Sequence, residues 1–105
     1  MAQQIHYITQ YSYDFDARTG GPRLMQLWNE DGLIADLHFV PDGQPLPAPD
    51  FGPNLEWAVT YFYWSSFRAI ADMLRHEDFV RVQINNDQPP GFVFVGTSIE
   101  DADEE

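Results

Sequence analysis

Leu55-Glu56-Trp57-Ala58-Val59-Thr60-Tyr61-Phe62-Tyr63-Trp64 holds eight apolar or aromatic residues in ten. They fall on both sides of any strand drawn through the stretch. Val, Thr, Tyr, Phe and Trp favour strands, and the segment has no polar helical face, so a strand is preferred to the first half of a long helix. A strand apolar on both sides belongs in the middle of a sheet with both faces covered. The rest of the chain supplies one short helix, which can cover one face. The other face then needs a loop, a second copy or a partner.

Working outward, the pattern changes at Ser65. Phe67, Ile70, Ala71 and Leu74 follow the i, i+3, i+4, i+7 spacing of an amphipathic helix ending near His76, with Ser65 or Ser66 as its cap. Residues 79–84 alternate as a strand, and 92–97 (Phe-Val-Phe-Val-Gly-Thr) form a last strand apolar on both faces. Upstream, residues 41–53 are rich in Pro and Gly and should cross the surface as an extended segment lying against the sheet. Residues 23–40 read as a hairpin turning at Asp31-Gly32, in a type I′ turn that pairs Glu30 with Leu33 and Trp28 with Ala35. Residues 4–15 alternate as one long first strand. The expected fold is α+β: a mostly antiparallel sheet of about six strands, in the order β-β-β-β-α-β-β, with the helix on one face. Residues 1–99 form one domain, and 100–105 a disordered acidic tail.

Charge narrows the function. Seventeen acids face five basic residues, all of them Arg, for a net charge of −12 over 105 residues. Five acids lie in the last six residues, so twelve remain against five Arg and the body is acidic as well. This field repels phosphate and anionic lipid and attracts basic partners. It argues against direct nucleic-acid binding and against membrane association. Without cysteine there is no disulfide, thiol catalysis or thiolate metal site. No signal peptide or spanning stretch is visible, and a soluble cytoplasmic protein is the expectation.

The chemical motifs fade on inspection. His6 and His38 with Asp36 could form a facial metal site only if their strands adjoined, and no pair has helical ligand spacing. His76 complements a helix C-terminus. Asp14 to Gly20 resembles a calcium loop but has Arg18 and Thr19 where a ligand and a glycine are required, so a turn with Asp capping backbone N–H groups is the better account. Ser65-Ser66 lacks the glycines of a nucleophile elbow. No motif asks for a cofactor or a metal, and the balance is against an enzyme.

Tyrosine gives the sharpest signal. All five tyrosines fall in two predicted strands, Tyr7, Tyr11 and Tyr13 in the first and Tyr61 and Tyr63 in the decamer, with Trp57 nearby. Tyr is amphipathic and has few rotamers to lose, so it is enriched at interfaces. These six residues are the candidate partner-binding set. The function expected is a non-catalytic protein-interaction module acting through an aromatic sheet face and an acidic surface, with self-association into a homodimer as one form. The alternatives are a small-ligand-binding protein or enzyme with an apolar cleft under the Pro-rich loop, using Asp36, His38 or Arg81 as polar contacts, and an acidic nucleic-acid mimic that inhibits a DNA-binding protein.

Overall fold

The computed structural model describes residues 3–77, 79–87 and 90–97. The acidic tail at 100–105 lies outside them. Among the described residues the fold is α+β, with eight strands in two sheets, mostly antiparallel, and one helix against them. The elements run β1 (Gln3–Ile8), β2 (Gln10–Phe15), β3 (Pro22–Asn29), β4 (Gly32–Val40), β5 (Asp50–Phe51), β6 (Ala58–Tyr63), α1 (Phe67–His76), β7 (Val80–Asn85) and β8 (Phe92–Thr97). Short 3₁₀ turns occupy Pro53–Leu55 and Trp64–Ser66. One sheet has the order β1-β7-β8, the other β2-β3-β4-β6-β5. Two strands beyond the expected six arise from a split first strand and from the two-residue β5.

The split falls at Thr9. Its N–H donates to the carbonyl of Trp28 at 2.9 Å, and the chain passes there from the three-stranded to the five-stranded sheet. Strands that change sheet at a corner are a usual way to join two layers. The alternation of residues 4–15 runs on through the corner, which is why it reads as a single strand.

The β3–β4 hairpin turns one residue earlier than the Asp31-Gly32 reading. Asn29 pairs with Gly32, Trp28 with Leu33 and Leu27 with Ala35, with a bulge after Leu27. The turn residues are Glu30 and Asp31, and neither has positive φ. Gly32 carries it, at +122°, so the turn is not type I′. Asn29 Oδ1 accepts from the Asp31 N–H at 2.8 Å and fixes the turn. The turn shift alone would keep each residue on its expected side; the bulge after Leu27 changes the face. Met25 and Leu27, not Leu24 and Trp28, join Ala35, Leu37 and Phe39 in the core, and Met25, Leu27 and Leu37 are fully buried.

β6 pairs in parallel with β4, Ala35 beside Ala58, Leu37 beside Thr60 and Phe39 beside Phe62. Its neighbour on the other side is the short β5, so it lies next to an edge and not at the sheet's centre. The core face of the five-stranded sheet is covered by the second sheet, whose Val82 and Ile84 are fully buried, and by α1 through Ile70 and Ala71. Phe67 closes one end, its ring 5.3 Å from Phe39 and 5.1 Å from Tyr13. Burial of these side chains, at about 1.5–3 kcal/mol each, is the main force holding the layers together. Of the segment 41–53 expected to lie against the sheet, residues 41–48 are exposed, while Asp50–Phe51 pairs with β6 and Phe51 packs on the core. Asp42 Oδ1 accepts from the Ser65 N–H at 3.1 Å, while Ser66 at the helix N-cap makes no side-chain capping bond.

The loop between β2 and β3 is closed by backbone bonds between Asp16 and residues 19–21, and its first turn is held by the Asp16 carboxylate. Asp16 Oδ1 accepts from the Arg18 backbone N–H at 2.9 Å and from Arg18 Nε at 3.0 Å, and Oδ2 accepts from Arg18 Nη2 at 2.8 Å. These bonds to Arg18 hold the Asp16 carboxyl well below its ordinary 3.8, at about 2. A depressed carboxylate favours the folded state above its unfolded pKa, and that contribution is lost as the pH falls through its folded value. Asp16→Asn is therefore expected to lower the thermal midpoint at pH 7. The gap to wild type should narrow from pH 4 downward and close near pH 2, as read by thermal melts across that range. A gap unchanged between pH 7 and pH 2 would show that the ionised carboxylate is not what holds the turn.

Candidate interaction surface

The parallel pair β4–β6 builds the candidate site. Its outward side chains are Asp36 beside Val59, His38 beside Tyr61 and Val40 beside Tyr63. All six are half-buried. The His38 and Tyr61 rings stack with centroids 5.5 Å apart. At the starting end of the two strands this face deepens into a cleft. Two adjoining cavities of about 360 and 400 Å³ share Leu33, Ile34 and Trp57. Asp36, Ala58 and Val59 line one, and His6, Asp31 and Glu56 the other. Leu33 and Trp57 form the exposed walls, at 40% and 37%.

The cleft is shaped by the turn that leads into β6. Gly52 N–H donates to the Trp57 carbonyl at 2.9 Å, closing a loop in which Asn54 and Leu55 both take left-handed backbone angles (φ 58° and 57°). Asn tolerates that region; a bulky residue such as Leu rarely enters it. Two contacts hold Leu55 there. Its side chain is buried in the core, and its carbonyl lies 3.0 Å from His6 Nε2. A carbonyl can only accept, so Nε2 carries the proton in this contact. Gly52 is needed for a different reason: a Cβ there would collide with the Trp57 indole. The ring sits directly on the glycine backbone, which sets its place in the cleft wall.

The electrostatics are one-sided. Asp31, Asp36 and Glu56 line the cavities, and no Lys or Arg does. Asp36 Oδ1 accepts from Gln26 Nε2 at 3.0 Å, leaving its other oxygen able to take a second donor. Among the described residues no cluster of three or more His, Asp or Glu has metal-binding geometry. His6 and His38 lie in different sheets.

The six aromatic candidates divide among three places. Trp57, Tyr61 and Tyr63 belong to the cleft and the sheet face continuous with it. Tyr11 and Tyr13 point to the core side of the edge strand β2, their rings stacked at 6.3 Å, with Tyr13 still 41% exposed. Tyr7 lies on the outer face of the three-stranded sheet, 53% exposed. Of the polar contacts named for a ligand cleft, Asp36 lines the cavity, His38 lies one row beyond, and Arg81 is on the outer face of the other sheet. The cavities are lined by no residue of 41–53. Leu33, Asp31 and Glu56 are not singled out by sequence: Leu33 faces outward because of the bulge after Leu27, and Glu56 joins it only through the parallel pairing of β4 and β6.

No protein-family model, curated protein or solved structure matches the chain. Among the described residues no helix is long and apolar enough to cross a membrane.

Gly52→Ala should push the indole off its seat. A midpoint loss in urea equivalent to about 1–3 kcal/mol is expected for overpacking of this kind, together with altered near-ultraviolet circular dichroism. A variant with wild-type stability and spectrum would mean that the ring has room to spare.

Proposed function

We propose that the chain is a non-catalytic protein-interaction module, and that its cleft receives a cationic side chain, Arg or Lys, from a basic segment of a partner protein. One observation carries the reading: Trp57 and Leu33 stand as half-open apolar walls among Asp31, Asp36 and Glu56. A cation over an indole face gains about 0.5–2 kcal/mol, and a guanidinium can add charge-assisted hydrogen bonds to a carboxylate. The flanking face, with Tyr61 and Tyr63, offers amphipathic contact for the residues on either side. The net charge of −12 speeds encounter with such a partner. A small organic cation would find the same groups, so the chemistry is shared and peptide context separates the two.

The test is a titration of the 15N-labelled protein with N-acetyl-arginine amide, a hexa-arginine peptide and a hexa-glutamine peptide, in about 0.05 M and 0.5 M salt. The peptide with arginine should shift the Trp57 indole and the amides of Leu33, Asp36 and Val59. It should bind at least tenfold more tightly than the single amino acid, and lose most of its affinity at high salt. Glu56→Gln and Asp36→Asn should each weaken it several-fold, Trp57→Ala more, and hexa-glutamine should leave the spectrum unchanged. Equal affinity for the amino acid and the peptide would favour a small-ligand site. Shifts spread evenly over Asp14, Asp72 and the other surface acids, with none at Trp57, would end the proposal.

A further inference from the structure

The outer face of the three-stranded sheet is a second surface, separate from the cleft, and it differs in charge. Its rows follow from the registers: Gln3–Asn85–Phe92, then Ile5–Gln83–Phe94, then Tyr7–Arg81–Gly96. Ile5, Tyr7, Phe92 and Phe94 are 43%, 53%, 43% and 51% exposed. In a chain with seventeen acids and five arginines, these nine outward positions hold one Arg and no acid. These exposures leave much of the face open to solvent.

We infer that this face is a self-association surface on which a second copy of the chain stacks, sheet on sheet. The self-complementary rows argue for a second copy, and charge limits where it can dock. Two copies each carrying −12 repel, so they can meet only where acids are missing. The rows also select the geometry. A two-fold axis along the strands would set Arg81 against Arg81 of the second copy. An axis across the strands, through the middle row, avoids that contact. It lays Phe94 on Phe94, Ile5 on Ile5 and Gln83 on Gln83, and brings Arg81 over the amide of Asn85. It also carries Phe92 over Gly96, where no side chain fills the space above the backbone and where an added Cβ would meet nothing within 4 Å. Each copy thus supplies both the ring and the gap, as a self-complementary interface requires. Sheets stacked this way lie about 10 Å apart, which Phe and Ile side chains span.

Area sets the strength. Three aromatic rings and one Ile, each about half exposed, offer roughly 400 Å² of apolar surface. Stable interfaces bury about 800 Å² per partner, so the dimer is weak and depends on concentration. It is expected at high protein concentration, and more readily at higher salt, where repulsion between the acidic bodies is screened.

Analytical ultracentrifugation tests this from about 0.01 to 1 mM in 0.15 M and 1 M salt. The wild type should pass from monomer towards twice the monomer mass. Phe94→Glu and Phe94→Lys, each checked for a native spectrum by circular dichroism, should remain monomeric alone, and an equimolar mixture of the two should recover the dimer, because position 94 meets itself across the axis. A wild type monomeric at 1 mM, a dimer that survives Phe94→Glu, or a mixture that stays monomeric would overturn the inference. Because no cleft residue is altered, failure here leaves the arginine titration untouched, and failure of that titration leaves this experiment standing.

Discussion

The parallel register of β4 on β6 is the constraint from which the rest of the five-stranded sheet follows. A hairpin can join only antiparallel neighbours; parallel ones need a long return. Residues 41–57 make that return, and this is why the chain carries a Pro- and Gly-rich stretch between two strong strands. The same register places the entry to β6 beside the entry to β4, so Trp57 meets Leu33 and Asp36 at one end of the sheet. The strained pair Asn54-Leu55 marks where the return finishes. His6 reaches over from the other sheet to hold its carbonyl, so the cleft depends on both layers being in place.

An uncovered sheet face is by itself ordinary, since antiparallel sheets often turn one side to water. What distinguishes these two faces is their chemistry. The face of the larger sheet mixes aromatic rings with Asp14, Asp36 and Asp50 and leads into a cleft lined by acids. The face of the smaller sheet is rich in exposed Phe and Tyr, and its charged position is Arg81. Two surfaces with such different electrostatics on one small chain suit two different occupants. One is suited to a cation and the other to a second copy of the chain. The expected shortage of cover for the decamer is met on one side by the second sheet and remains on the other, where Val59, Tyr61 and Tyr63 are half-buried.

Much of the architecture was legible from residue pattern because local preferences and tertiary role agree. The helix at 67–76, the strand at 80–85 and the strand at 92–97 fall where their periodicity puts them. Register was not legible where both faces are apolar. In β3, Leu24 and Trp28 compete with Met25 and Leu27, and alternation alone cannot say which pair goes inside. The Asp31-Gly32 pair favours one turn; the chain turns one residue earlier, and it is the bulge after Leu27, which no local pattern announces, that carries Met25 and Leu27 inside. The corner at Thr9 hid in an unbroken alternation that sends Tyr7 outward on one sheet and Tyr11 inward on the other. For the site, composition pointed to aromatics and acids, and Trp57, Tyr61 and Tyr63 were within reach. Their convergence with Asp31 and Glu56 depends on a parallel pairing across residues 41–57, which no local pattern encodes.

That long return has a topological consequence. β1 to β4 precede it and β6 to β8 follow it, yet β1 is laddered to β7 and β4 to β6. The two halves of the chain are therefore stitched to each other by two separate seams, while residues 41–48, exposed throughout, bear almost none of the stitching. A peptide bond cut there would leave two pieces clasped in the native shape. The segment is the natural place to nick the protein, to insert a foreign sequence, or to open new termini without unpicking either sheet.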